Sequence, residues 1–174
     1  TTPDQLVGIG IAGGHTDKVV HNSIAITGDM DPAGATAAST YGNAIRIANA
    51  SGSSHANLSL KDNSIYMDVN SNTATLPYFA ITVNSATYSF GTGGMDYNNL
   101  YVNLANTQMN TGGLSTGSTA PSGATLFNTL AQWKTALAPA QDAASIQSDP
   151  LYVSNTADLH IPVGSPNAGA GVDV

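Results

Sequence analysis

The sequence predicts an all-β protein, a parallel β-helix (solenoid) of about three coils with a short C-terminal capping helix. Three observations carry this. Two separate motifs recur in the same order at an interval near 36 residues. Each motif alternates apolar and other residues with period two, the signature of a strand with one buried side. The composition is poor in the usual surface helix formers Glu, Lys and Arg.

The first motif reads small, apolar, variable, apolar. It occurs as Gly8-Ile9-Gly10-Ile11, Ala44-Ile45-Arg46-Ile47 and Ala80-Ile81-Thr82-Val83. Ile9, Ile45 and Ile81 are 36 residues apart each time. The second motif follows as Asn22-Ser23-Ile24-Ala25-Ile26, Asn63-Ser64-Ile65-Tyr66-Met67 and Asn98-Asn99-Leu100-Tyr101-Val102, at intervals of 41 and 35. A third strand is expected between them, around Val19-Val20, Leu58 to Leu60, and Met95. Gly91 to Gly94 interrupts the last of these. Stacked units of three short strands make a parallel β-helix. Equivalent strands then lie about 4.8 Å apart, with like residues in ladders. Asn22, Asn63 and Asn98 are expected to form one such ladder at a bend, where Asn satisfies turn amides and tolerates unusual backbone. The stretches 29–40 and 69–77 are expected to be turns between coils.

The coils are placed at 1–113 and the C-terminal part of the same domain at 114–174. Residues 114–123 read as a low-complexity loop. Leu126, Phe127, Leu130, Trp133 and Leu137 recur at helical spacing, predicting a helix over 126–138 that Pro139 ends. Trp133 is expected to seal the end of the core, because a solenoid end exposes apolar side chains and strand edges. Residues 145–146, 151–153 and 159–161 are expected as short closing strands or extended segments.

The stretches SIQSDPLYV (145–153) and DLHIPVGSPNAGAG (158–171) resemble the C-terminal end of bacterial right-handed parallel β-helix proteins of the pectin-lyase-like superfamily. NNLYV (98–102) and TLFNTLAQW (125–133) are similar to that family's last coil and capping helix. The resemblance covers roughly residues 95 to 171; the earlier coils match in pattern. Where the family usually has Ala-Ile-Asp after Ser-Pro, this chain has Asn167-Ala168-Gly169. The resemblance implies a right-handed coil and a secreted or cell-surface protein of bacteria. It indicates fold rather than activity.

Composition excludes several functions. Charged residues are 9% of the 174, against about 25% in an average soluble domain. All 11 acids are aspartates, and the bases are Lys18, Arg46, Lys61 and Lys134, for a net charge of -7. Four scattered cations cannot neutralise a row of phosphates, so nucleic acid is not an expected partner. No apolar run spans a bilayer. Cysteine is absent, which removes disulfides and thiolate chemistry. No leader is visible, so the chain reads as a mature or excised piece.

Each chemistry-bearing residue also has a plain structural reading. His21, Asp62 and Tyr97 share one repeat position just before the asparagines and form the best polar constellation; a second carboxylate for hydrolysis is missing. Arg46 falls between Gly10 and Thr82 with no acid stacked beside it, which favours a structural or surface role over a catalytic base. Asp29 and Asp31 in GDMDPAG are a weak calcium candidate. His15, His55 and His160 do not assemble a metal site. Tyr66 and Tyr101 are expected as an outward aromatic stripe with Ala25, fit for a glycan or a partner. Asn49-Ala50-Ser51 and Asn57-Leu58-Ser59 match the glycosylation triplet by formula only.

No catalytic residue and no cofactor is expected. The sequence favours a structural, adhesive module of a bacterial extracellular or cell-surface protein. Its uncovered first strand, at Val7, Ile9 and Ile11, would meet copies of itself, stacking head to tail into a fibre, or further modules. The alternatives are a carbohydrate-active β-helix, either an enzyme or a glycan binder, and the terminal part of a larger enzyme of that kind.

Overall fold

A computed structural model describes residues 5–30, 41–48, 55–71, 77–84, 88–105, 108–114, 124–137 and 141–173. The strands are β1 (Gln5–Ile11), β2 (Lys18–Val20), β3 (Ser23–Asp29), β4 (Tyr41–Ala48), β5 (His55–Lys61), β6 (Ser64–Asn70), β7 (Tyr78–Asn84), β8 (Tyr88–Asp96), β9 (Asn99–Val102), β10 (Met109–Leu114) and β11 (Thr125–Phe127). One helix, α1, spans Leu130–Ala136.

These strands form three sheets, ordered β1-β4-β7-β10-β11, β2-β5-β8 and β3-β6-β9. Each sheet takes one strand from each successive unit of three. All the pairings are parallel except β10 with β11. The repeat read from the sequence is the register itself. Ile9 faces Ile45, which faces Ile81, and Ile24 faces Ile65, which faces Leu100. In the second sheet Leu58 faces Phe90 and Leu60 faces Met95, so the Gly91–Gly94 stretch shifts the register locally. Because like residues lie on like, the apolar side chains collect in one core. Ile45, Ile47, Leu60, Ile65, Met67, Ile81, Met95 and Leu100 are all buried there. Each such burial contributes about 1.5–3 kcal/mol.

The corner between the second and third strands is built identically three times. His21, Asp62 and Tyr97 adopt the left-handed conformation, with φ of 57°, 56° and 57°. Each costs about 1–3 kcal/mol for a residue with a Cβ. The asparagine that follows offsets this. Asn22 Nδ2 donates to Asn63 Oδ1 at 2.9 Å, and Asn63 Nδ2 donates to Asn98 Oδ1 at 3.0 Å. The same oxygens accept the backbone N–H of the preceding asparagine. The second amide hydrogens go to carbonyls of Val20, Val19 and Leu60.

The C-terminal part departs from the expected helix over 126–138. Residues 125–127 are strand β11, paired antiparallel with Gly112–Leu114, so they satisfy the free edge of β10. The helix starts only at Leu130, where Thr129 and Gln132 form a capping box. That box satisfies otherwise unpaired N–H groups. Pro139 lies outside the described residues. Trp133 is fully buried. Gly112 occupies the rung of Ile9, Ile45 and Ile81, and a Cβ there would stand 2.1 Å from Trp133 Cε3. The indole thus fills the space that a fourth isoleucine would take. Beyond α1 there is no further strand among the described residues. The bridges Asn99 to Ile146 and Ser154 to Asp158 stand alone. No helix among the described residues is long and apolar enough to cross a membrane.

Candidate functional site

The three left-handed corner residues line a groove of about 360 Å³. His21, Asp62 and Tyr97 form one side. Leu159, His160 and Gly171, from the C-terminal segment, form the other. The repeat brought the first three together; nothing in the spacing announced the opposing wall.

That wall is held by polar contacts running back along the third sheet. Asn99 Nδ2 donates to Ser148 O at 2.8 Å and to Asn167 Oδ1 at 2.7 Å. Asn167 Nδ2 donates to Ser64 Oγ at 2.6 Å. Tyr152 donates its hydroxyl to Ser64 O at 2.8 Å, and the same oxygen lies 2.6 Å from Ser64 Oγ. Finally Val172 N donates to Asp62 Oδ1 at 2.9 Å. Asn167 is therefore a fastening point.

Within the groove Asp62 Oδ2 is buried and has no hydrogen-bond partner among the described residues. Tyr97 is 37% exposed, and His21 and His160 are exposed. His160 Nδ1 is paired with Asp158. Asp62 is the sole carboxylate among the lining residues. The groove can thus offer an aromatic face and two imidazoles to a polar ligand. It does not offer the two facing carboxylates that glycoside hydrolysis uses. No group of three or more metal-ligating side chains occurs among the described residues.

A buried acid missed by the sequence reading ends the asparagine ladder. Asp142, 0% exposed, accepts from Asn98 Nδ2 at 3.2 Å, Ser145 Oγ at 2.5 Å and Trp133 Nε1 at 2.9 Å. Burial raises its pKa above the usual carboxylate value, and the three donors work against that rise. Ser145 Oγ accepts Asn98 N at 2.9 Å, so Ser145 and Asp142 together replace a fourth asparagine.

The remaining candidates fall elsewhere. Tyr66 and Tyr101 do stack, with centroids 5.2 Å apart. Tyr66, however, is 9% exposed, so the expected open aromatic stripe is corrected. Burial first, then Asp68 and Asp149, raises the Tyr66 pKa. Burial, then Asp149 and Asp68, raises that of Tyr101. Arg46 is half-buried on the rung of Gly10 and Thr82. Asp29 is exposed at the end of β3; Asp31 lies outside the described residues, as do Asn49 and the side chain of His55. His15 and Asn57 are exposed.

The two ends of the stack differ. In the first unit Ile9, Val19 and Ile24 are only partly buried against the core, with Val7 half-buried and Ile11 buried. One unit on, Ile45, Leu60 and Ile65 are 1%, 1% and 0% exposed. The far end is closed by β11, α1 and the turn at Asp142.

No family model matches the chain, and no curated protein or solved structure matches it either.

Proposed function

We propose that this chain is a structural, adhesive module of a bacterial extracellular or cell-surface protein, built as a right-handed parallel β-helix of the pectin-lyase-like kind. Three parallel sheets that each gain one strand per unit support the coil. The strong preference for right-handed crossovers between parallel strands, about 98%, supports the right hand.

The observation that carries the structural role is the difference between the two ends. An apolar rung partly exposed among the described residues at one end, opposite a sealed rung at the other, supports a module that stacks against further protein. Apolar surface and open strand edges of this kind are covered in use. Most of the polar corner groups are spent on bonds to neighbouring units.

A second reading has its own observation. The groove of Asp62, Tyr97, His21 and His160 suits a carbohydrate, with a sugar face on the tyrosine ring and hydroxyls bonding to the imidazoles. The two readings separate on a polysaccharide panel, scored for binding and for new reducing ends. The structural role expects no cleavage, and no binding that depends on Asp62 or Tyr97. Cleavage, or binding abolished by Asp62→Ala or Tyr97→Ala, would transfer the assignment to a carbohydrate-active protein.

A further inference from the structure

We propose that residues 148–172 form a strap that opens as one piece while the coils stay folded, so that the groove and the outer face at Tyr66 are alternative surfaces of one sheet. The inference goes beyond both readings of the function and holds under either.

The strap takes no part in the apolar core. Among the described residues, every member of the core cluster and every apolar side chain packed against it lies at or before Leu137. The large apolar side chains Leu151, Val153, Ile161 and Val163 of the strap are exposed instead. Tyr152 is the exception, buried with its hydroxyl on Ser64 O. Burial of apolar surface, which makes the coils cooperative, therefore does little to hold the strap.

Its hydrogen bonds divide in the same way. The chain is last joined to the coils by backbone at Ile146, whose N–H donates to Asn98 O at 2.8 Å and whose carbonyl accepts Leu100 N at 2.9 Å. Beyond that point, among the described residues, backbone–backbone bonds close within the segment. Val153 N donates to His160 O and Ala168 N to Ser165 O, each at 3.0 Å. Ser165 Oγ donates to Pro150 O at 2.7 Å and ties the two ends of the strap together. The strap thus keeps its own shape and hinges after Ile146. Its bonds to the coils involve the side chains of Asn99, Asn167, Tyr152 and Asp62. Water can replace each of these, so their net worth is small against their gross strength.

Closed, the strap sets two surfaces at once. Leu159, His160 and Gly171 supply one wall of the groove. Asp149 and Asn155 lie against Tyr66. Tyr66 falls between the core residues Ile65 and Met67, so its ring is on the outer face of the sheet. Opening removes the wall and bares the ring. A ligand of the groove holds the strap shut, and a ligand of the bared face holds it open.

Amide hydrogen exchange of the full chain in low denaturant tests this. Val153, Asp158, Ala168 and Val172 report on the strap, and Ser64 and Asn99, bonded to carbonyls of the neighbouring coil, report on the coils. The strap amides should exchange roughly a hundredfold or more faster than the coil amides, with a shallower denaturant dependence. Asn167→Ala removes one fastening. It should speed all four strap amides by one common factor, about tenfold, and leave Ser64 and Asn99 unmoved. Nitration of Tyr66 by tetranitromethane, read by peptide mass, should rise by the same factor. Strap amides of the native chain that exchange in step with Ser64 and Asn99 would overturn the proposal, and that measurement needs no variant to fold. Unequal factors along the strap would overturn its opening as one piece. Tyr66 nitration indifferent to Asn167→Ala would overturn the alternation of the two surfaces.

Discussion

Trp133 Nε1 donates to Asp142 Oδ2 at 2.9 Å, and this bond joins the lid of the apolar core to the last acceptor of the asparagine ladder. Two different stacks end on one pair of side chains. Asp142 takes three donors and faces no cation among the bonds it makes. Asp96 lies near enough to oppose its ionisation, and Lys134 Nζ is committed to the carbonyls of Ala143 and Ser145.

Asp142→Ala is expected to leave the Trp133 and Asn98 donors unsatisfied and to cost about 2–4 kcal/mol. The pH response distinguishes the carboxylate from its shape. The folded pKa is raised, so its contribution is fully present below the unfolded value, about 3.9, and is lost as pH rises through the folded value. Thermal melts of the native chain and Asp142→Asn are compared from neutral pH downward. The native chain should gain on the variant as pH falls through that interval. Parallel curves would sink the assignment.

Asn63 makes ladder bonds in both directions, whereas Asn22 donates into the ladder but receives nothing from it. Asn63→Ala should cost about 3 kcal/mol and Asn22→Ala about 1. Denaturant midpoints check the order. Equal losses would mean that the ladder is not cooperative in the way described.

Gly112→Ala places a methyl against the Trp133 ring. Overpacking should cost about 1–3 kcal/mol or more. The single tryptophan of the chain reports this directly, through red-shifted emission as the ring moves toward water. Unchanged emission and stability would show that the indole does not fill that rung.

Tyr152→Phe deletes both bonds to Ser64, at about 1–1.5 kcal/mol. Limited proteolysis should then cut the 148–172 segment faster. Tyr66, Tyr101 and Tyr152 all have raised pKa values, with burial the leading cause. Stability linked to them holds below about pH 10 and falls as pH rises through the folded values. Absorbance titration of the tyrosinates should show one fewer late group in Tyr152→Phe than in the native chain.

The repeating part was legible because its physics is periodic. One buried face per strand forces alternation, and stacking forces the interval, so Ile9, Ile45 and Ile81 could be aligned by inspection. Asn22, Asn63 and Asn98 were readable for the same reason. The corner trio His21, Asp62 and Tyr97 came with them. What the sequence hid is whatever the return of the tail brings in. Tyr66 looked exposed because a strand pattern does not record what lies across it. Asp142 was missed because it replaces an asparagine from outside the repeat, three residues before the Ser145 that shares its role. The helix was read too long because Leu126 and Phe127 fit a helical spacing, while the open edge of β10 recruits them as strand.

The tail contacts also order events in time. Val172 closes on Asp62 across 110 positions, and Tyr152 on Ser64 across 88. A chain leaving the ribosome at about 5–20 residues per second has its second unit out well before the segment that covers it. For several seconds the Tyr66 ring and the corner carboxylate stand wet, open to whatever chaperone or neighbouring nascent strand is at hand. The interval ends only when residues 149–172 have emerged. A stalled or shortened message would leave that flank permanently unlatched.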